Sequence, residues 1–269
     1  MRSAIIVLCA TLLLTATPAH AADTQSVFLE DLTWTELRDA VAGGKTTAII
    51  PIGGTEQNGP LMALGKHNAR AKALAGKIAV VLGDAIVAPV MAYVPEGSVE
   101  PPQAHMKFPG TLTITDAAFA AVLESAAASL RHAGFVTIVL LGDHGSYQRD
   151  LANVAEKLTL KWQKSGVSVN AIAEYYRVTQ GDYIAALKAH GARADEIGTH
   201  AALADTSLML ALDPQMVRTD RLATEHGLNE TNGIYGGTPI HATAELGKLG
   251  VALIVEQSVA AIRKAQRRH

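Results

Sequence analysis

The fold is indicated first by the stretch Thr47-Ala48-Ile49-Ile50-Pro51-Ile52-Gly53-Gly54-Thr55-Glu56. Its first six residues form an apolar run, which predicts a buried strand. The two glycines predict a sharp turn directly after it. Glu56 therefore stands at the end of a strand, where ligands bind in open α/β sheets. His67 follows one loop later, at the head of a predicted helix, so these two side chains are candidate metal ligands.

The rest of the chain alternates predicted strands with predicted helices. The strands are nearly continuous apolar runs, as in a parallel sheet that is covered on both faces; they span 47–52, 85–90, 136–141 and 168–173. The helices are predicted at 68–82, 116–133, 151–164, 183–190, 206–212 and 243–268. This order predicts a three-layer α/β fold with a mostly parallel central sheet flanked by helices. No linker or repeat divides the chain, so residues 22–269 are expected to form one domain.

The first residues have the pattern of an export signal. Arg2 precedes an apolar run over residues 4–14, and Ala19-His20-Ala21 offers a cleavage site. Residues 1–21 are therefore predicted to be a signal peptide, because the run is too short for a transmembrane anchor. Cys9 is the only cysteine and would leave with the signal. We expect a periplasmic or secreted protein that has no disulfide and no membrane attachment after cleavage.

Charge and composition bear on the partners. The formal net charge is −2 and aromatic residues make up 4% of the chain. No basic stripe interleaved with aromatic side chains is visible, so a nucleic-acid partner is not expected. The basic residues at 263–268 are interpreted as the solvated end of the last helix, where cations complement the helix dipole.

Two further segments bring a histidine close to a carboxylate. The predicted strand ending at Leu141 runs into Gly142-Asp143-His144. His144 is either a site residue or a residue that caps a helix or binds the backbone. His200 and Asp205 flank a small-residue turn before an apolar helix, and Asp205 or Thr206 is predicted to cap that helix, which leaves His200 free for chemistry. Glu96 and Glu100, in the loop between the second strand and the next helix, are predicted to be solvated charges.

Five motifs resemble those of the creatininase (creatinine amidohydrolase) family. They are PIGGTEQNGPLMALGKH at 51–67, HMKFPGT at 105–111, GFVTIVLLGDH at 134–144, HAALADTS at 200–207 and GIYGGTPIHATAELG at 233–247. They follow the family's order and span nearly all of the chain beyond the signal. The resemblance implies the family's fold, a metal-dependent hydrolysis of the C–N bond of a small cyclic or linear amide, and a homo-oligomer.

The resemblance also implies a metal centre with altered ligands. Members of the family hold two divalent ions with Glu, His, Asp, His and Glu. The matching positions here are Glu56, Asn58, His67, His144 and Ser146. Asn58 and Ser146 are poor zinc ligands, and they remain candidates only for a second metal position or the pocket. Glu56, His67 and His144 form a two-His, one-Glu set, which is typical of mononuclear hydrolytic zinc sites. We expect one divalent ion, zinc or alternatively manganese.

Catalytic roles follow from the same resemblance. His200 matches a family histidine that transfers protons, and Asp205 would orient His200 or a metal ligand. Asp143 would either join the metal or act as general base. His105 and His241 are weaker candidates for the pocket. The replaced ligands keep an alternative open, in which the protein is a non-catalytic small-molecule-binding or scaffold protein on the same fold.

Overall fold

The computed structural model describes residues 26–267. The predicted signal peptide lies outside this range, as does residue 268 at the end of the last predicted helix. Among the described residues, no helix combines the length and apolar character needed to cross a bilayer.

Four parallel strands form the central sheet. They are β1 Thr47–Ile52, β2 Ala85–Val87, β3 Thr137–Gly142 and β4 Ser168–Ala171. Their order in space is β2-β1-β3-β4, so β1 and β3 are the inner pair and are hydrogen-bonded over their whole length. A small antiparallel pair is made by β5 Gly198–His200 and β6 Tyr235–Gly237. The second strand is shorter than the predicted 85–90: the Ala88 N–H donates to the Ile49 carbonyl, but the next bond to β1 comes only from the Met91 N–H to the Pro51 carbonyl, so the regular ladder has ended.

The helices cover both faces of the sheet. They are α1 Trp34–Ala42, α2 Lys66–Leu82, α3 Asp116–His132, α4 Gln148–Trp162, α5 Ala173–Gln180, α6 Asp182–Ala189, α7 Ala194–Ile197, α8 Leu203–Leu212, α9 Thr219–Leu222 and α10 Ala244–Gln266. Alternate strand residues point to opposite faces. Ile50 and Leu140 pack with α3 and α4, whereas Ile49 and Leu141 pack with α2, α5, α8 and α10. The predicted three-layer α/β fold is confirmed.

Two helix starts differ from prediction and affect the site. The helix predicted from residue 68 begins at Lys66, so His67 belongs to its first turn. The helix predicted from residue 206 begins at Leu203, because the small residues before Asp205 continue the helix upstream. Ala202 is then its N-cap and makes no side-chain cap bond. The prediction that Asp205 or Thr206 caps this helix is therefore wrong.

Four helices were not predicted from the pattern: α1, α5 and the short α7 and α9. Thr33 and Glu36 form a capping box that begins α1, with each side chain bonding the other's backbone N–H. Helix α5 starts at Ala173, inside the strand predicted over 168–173, after β4 has ended at Ala171. This early end matters for the site, since it brings Tyr175 of α5 beneath the end of β3.

Candidate active site

The candidate site lies at the carboxyl ends of β1 and β3. From β1 the chain passes through α2 to β2 on one side, and then through α3 to β3 on the other side. The chain therefore winds in opposite directions on the two sides of the β1–β3 pair. Such a switch point opens a crevice at the carboxyl ends of the strands in a parallel sheet. Glu56 follows β1 and Asp143 follows β3 directly, so both carboxylates reach this crevice.

Glu56 is the centre of the site. Its side chain is fully buried, and four imidazoles surround its carboxylate. His67 Nε2 lies 2.7 Å from Glu56 Oε1 and His200 Nδ1 lies 3.6 Å from the same oxygen. On the other side, Glu56 Oε2 lies 3.4 Å from His105 Nε2 and 3.6 Å from His144 Nε2. The structure thus brings the three predicted metal ligands together, along with His200 and His105.

Asp143 holds His67 from behind. Its Oδ2 lies 2.6 Å from His67 Nδ1 and accepts a 2.8 Å hydrogen bond from Arg70 Nε. Its Oδ1 accepts a bond of 2.7 Å from the Tyr175 hydroxyl. Because Asp143 can only accept, His67 Nδ1 carries a proton; Nε2 lies 2.7 Å from Glu56 Oε1, a distance at which either a proton or a metal cation lies between the two atoms. A carboxylate behind a histidine is the usual partner of a metal-ligating imidazole, because it fixes the tautomer and the ring.

The pKa values favour the neutral forms of His105, His144 and His200 beside an anionic Glu56. Burial lowers the pKa of His144 to about 4 and that of His200 to about 3, and burial also lowers the pKa of His105. Burial would raise the pKa of Glu56, yet His67, Lys66 and His144 hold it well below its usual range. Neutral imidazole and carboxylate are the protonation states in which these groups bind metals.

Two groups of side chains have the spacing of a metal site. Glu56, His67 and His144 form one, and Glu56, His105 and His200 form the other; the donor atoms of each lie within 4.8 Å of one another. In the first group, Glu56 Oε2 is buried and has no hydrogen-bond partner, as expected of an atom placed to meet a cation. The first group therefore fits a divalent ion.

The second group fits a metal less well because of Gln57. The Gln57 side-chain N–H donates to His105 Nδ1 over 2.8 Å. This amide orientation is supported by the Gln57 Oε1 atom, which accepts a 2.9 Å bond from the Gly59 N–H. His105 therefore carries its proton on Nε2, the nitrogen that faces Glu56, and a protonated nitrogen cannot bind a metal. His200 Nε2 donates to the Gln57 carbonyl over 2.9 Å, which leaves His200 Nδ1 as an acceptor.

The remaining sequence candidates have separate positions. Ser146 supports His144, with its Oγ 2.8 Å from His144 Nδ1 while it donates to the Pro95 carbonyl. The Asn58 amide donates to the carbonyls of Glu56 and Ala63, so it stabilises the loop that carries Glu56. His241 is exposed and lies 2.8 Å from Glu196, and it is absent from the described residues that line the site cavity.

A buried cationic pair beside the site was not predicted from the sequence. Lys66 and Arg70, one turn apart on α2, both bind Asp205, with Lys66 Nζ 2.5 Å and Arg70 Nη1 2.7 Å from its oxygens. Lys66 Nζ also lies 3.8 Å from Glu56 Oε1. Asp205 thus contacts Lys66 and Arg70 directly, and Arg70 links it to His67, since Arg70 Nη2 lies 3.2 Å from His67 Nδ1. The one local signal was that Lys66 immediately precedes His67.

Glu96 corrects a prediction. It was expected to be a solvated loop charge, but only 4% of it is exposed and neither carboxylate oxygen has a hydrogen-bond partner in the described chain. Burial and the nearby Glu56 raise its pKa to about 9. The loop folds inward because Gly54 leaves room for the carboxyl group: a Cβ at that position would lie 2.6 Å from Glu96 Oε1. Glu100 is exposed, as predicted.

A cavity of about 250 Å³ opens onto this cluster. The residues that line it include His67, His105, His144, His200, Lys66 and Tyr235. Tyr235, on β6, packs against the rings of His105 and His200. The cavity is small and mostly polar in its lining, which suits a compact polar ligand.

The family model described as Creatininase, creatinine amidohydrolase, matches residues 30–262. The chain belongs to the creatininase family. The predicted membership and the predicted hydrolase class, acting on C–N bonds, are confirmed. A creatinine amidohydrolase of Pseudomonas putida is 26% identical over 201 residues, which cover 74% of this chain and 76% of that protein. A mycofactocin precursor peptide peptidase of Mycolicibacterium smegmatis is 28% identical over 209 residues, covering 75% and 73%.

Solved creatininase structures share the fold. A mutant creatininase has a TM-score of 0.72 at 25% identity, and the match covers 90% of this chain and 99% of that one. A structure described as "Creatininase Mn" has a TM-score of 0.71 at 24% identity, covering 90% and 99%. Another creatininase, described as the "Zn-Zn type", has a TM-score of 0.70 at 24% identity, covering 90% and 98%. Those proteins are thus named for manganese and zinc.

Proposed function

We propose that this protein is an exported, metal-dependent amidohydrolase that opens the C–N bond of a small cyclic or linear amide. One divalent ion, zinc or manganese, is held by Glu56, His67 and His144. The observation that carries the proposal is the set of these three side chains, two of them buried and His144 partly exposed, whose donor atoms lie within 4.8 Å of one another. Two histidines and one carboxylate are the ligands of mononuclear hydrolytic zinc sites.

A divalent ion bound there would lower the pKa of a water molecule and polarise the amide oxygen. The protein's own residues supply orientation and proton transfer. Asp143 accepts a hydrogen bond from the Nδ1–H of His67. Arg70 donates to both Asp143 and Asp205, so Asp205 positions Arg70 and Arg70 positions Asp143. Both oxygens of Asp143 are thus engaged, so we assign Asp143 and Asp205 as positioning residues and not as the general base.

His200 carries the proton in this proposal, and His105 acts as a hydrogen-bond donor. His200 Nδ1 is an acceptor that faces the centre of the site, whereas His105 presents an N–H to the same space. His200 Nδ1 can therefore accept a proton from the attacking water and, as an imidazolium, donate that proton to the leaving nitrogen, while the N–H of His105 donates a hydrogen bond to the substrate. Positioned groups of this kind contribute about 10²–10⁴-fold each.

The substrate class follows from the cavity. A space of about 250 Å³ lined by imidazoles and the Lys66 side chain fits a small polar amide better than a protein segment. The relatives, a creatinine amidohydrolase and a peptide peptidase by name, act on different substrates, so the amide itself is left to experiment. A closed homo-oligomer is part of the proposal, and light scattering of the purified protein measures its mass.

The direct test is metal content. Protein without a histidine tag would be purified and analysed by plasma mass spectrometry, with about one zinc or manganese ion per chain expected. A library of cyclic and linear amides would then be screened with the loaded protein. The proposal would be contradicted if the purified protein contained no metal and also failed to bind added zinc or manganese. That result would favour the alternative of a non-catalytic binding or scaffold protein.

A further inference from the structure

Glu96 places a second carboxylate next to Glu56. Its side chain is fully buried, and its Oε2 lies 3.6 Å from His144 Nδ1. Burial and the charge of Glu56 both raise the pKa of Glu96. Among the described residues, both oxygens of Glu96 and Oε2 of Glu56 lack a hydrogen-bond partner. Three buried carboxylate oxygens are thus left without partners on one side of the histidine cluster.

The position of Glu96 is built by the chain around it. The Glu96 N–H donates to Thr113 Oγ1 over 3.0 Å, and the same hydroxyl donates to the Gly97 carbonyl over 3.2 Å. Gly54 has a φ of 145° and no Cβ, which gives the carboxyl group its space. The backbone on both sides of Glu96 is therefore fixed, and its carboxyl group is directed away from solvent.

Among the described residues, no lysine or arginine lies within 4 Å of Glu96, and Lys66 approaches Glu56 at Oε1, not at the oxygen without a partner. Lys66 and Arg70 bind Asp205, and Arg70 also binds Asp143. A buried carboxylate without a partner is costly, and two adjacent ones are tolerated when a cation or a shared proton lies between them. The unpartnered oxygens face the side of the cluster where His144 stands.

We propose that Glu96 supplies the second carboxylate of the cation site, beside Glu56 and next to His144. This inference rests on the proposed function, since it concerns the same ion. Glu96 would provide the acidic group that Ser146 does not, and it would do so from a different loop. Its role is to strengthen binding of the divalent ion.

The test measures metal affinity and needs no substrate. Zinc and manganese would be titrated into metal-free, untagged protein in competition with a chelator, comparing the native chain with Glu96→Gln. Loss of a group that supports a metal site weakens binding by about 10–100-fold. Glu100→Gln is the matched control, because Glu100 lies on the same loop but is exposed, and its affinity should equal that of the native chain.

A second variant guards against a failure of folding. Glu96→Asp keeps the charge but withdraws it by one methylene, so its affinity should fall between those of the native chain and Glu96→Gln. Thermal unfolding of each metal-free variant checks the fold. If both Glu96 variants bind metal as tightly as Glu100→Gln, the inference is wrong although the proposed function stands. A native chain that binds no metal would overturn the proposed function and the inference with it.

Discussion

At the scale of single residues, the site is organised by which nitrogen of each histidine carries the proton. Asp143 places the proton of His67 on Nδ1, and Gln57 places that of His105 on Nε2. The same Gln57 accepts from His200 Nε2 through its carbonyl. These assignments separate the metal ligands His67 and His144 from His200 and His105. All four imidazoles nevertheless lie within 4 Å of the Glu56 carboxylate.

The first prediction separates these two kinds of histidine. His144→Ala should lose both bound metal and activity, because it removes a ligand. His200→Ala should keep its metal, while turnover falls by about 10²–10⁴-fold because a proton carrier is gone. Plasma mass spectrometry and turnover on the screened substrate measure the two effects. A His200→Ala protein without metal, beside a His144→Ala protein that retains it, would show that the two roles are reversed.

Lys66 gives a second prediction, on stability. Its ammonium is fully buried on Asp205, so Lys66→Met leaves a buried carboxylate with one partner fewer. Breaking a buried pair costs about 3–5 kcal/mol. Lys72→Met is the control, since Lys72 and its partner Glu30 are both about half exposed, and such a pair is worth about 0–1 kcal/mol. Urea unfolding compares them, and equal losses would rule out a special role for the buried lysine.

At the scale of elements, the turn after β1 determines how closely the loops approach. Gly53 and Gly54 bring the chain against Asn68 of α2, whose side-chain Oδ1 accepts from the Gly54 N–H over 3.0 Å. This contact ties the end of β1 to the first turns of the helix that carries Lys66, His67 and Arg70. The strand end and the helix start therefore act as one support for the site.

Gly54→Ala should be among the most damaging substitutions in this turn. It combines a positive φ with a Cβ that would lie 2.6 Å from Glu96 Oε1. Gly83→Ala is the matched comparison, because Gly83 also has a positive φ but open space around it. Backbone strain alone costs about 1–3 kcal/mol, so Gly54→Ala should lose more stability than Gly83→Ala in urea unfolding. A smaller loss would mean that Glu96 moves aside freely.

The elements also show what could be foreseen. Glu56, Asp143 and His144 were predicted because an apolar run followed by glycine is a local signal for a strand end. The burial of Glu96 could not be predicted, because it depends on the missing Cβ of Gly54 in a distant segment. Lys66 was missed for a similar reason: its partner Asp205 lies 139 residues away. Local pattern thus located the strand ends, whereas long-range packing decided which charges are buried there.

At the scale of the whole molecule, buried charge makes the fold sensitive to acid. Burial would raise the pKa of Asp205, but Lys66 and Arg70 hold it well below 3.8. A carboxyl group with a depressed pKa in the folded state stabilises the protein above its unfolded pKa and loses that contribution as the pH falls further. The deficit of Asp205→Asn relative to the native chain should therefore be full at pH 7 and shrink below about pH 3.8. Unfolding of the metal-free proteins across pH tests this, and a deficit independent of pH would refute it.

Export is a prediction for the complete chain. The basic residue, the apolar run and Ala19-His20-Ala21 predict cleavage that leaves Ala22 as the first residue. Intact-mass analysis of the protein from a periplasmic or culture fraction checks the position. Ala21→Leu replaces the small residue at the predicted cleavage position, so this variant should retain residues 1–21. A native protein that keeps Met1 would exclude the predicted cleavage.

The one-sided placement of the site leaves the other end of the sheet free for engineering. The site lies at the carboxyl ends of β1 and β3, whereas the turns that lead into the strands, at Gly44 before β1 and Gly166 before β4, lie at the amino ends. A Cβ at either glycine would meet no neighbouring atom within 4 Å. Lys164, an exposed residue of the turn before β4, therefore offers an anchoring point for a sensor surface or a fluorophore. An immobilised enzyme attached there would present its cavity outward to the solution.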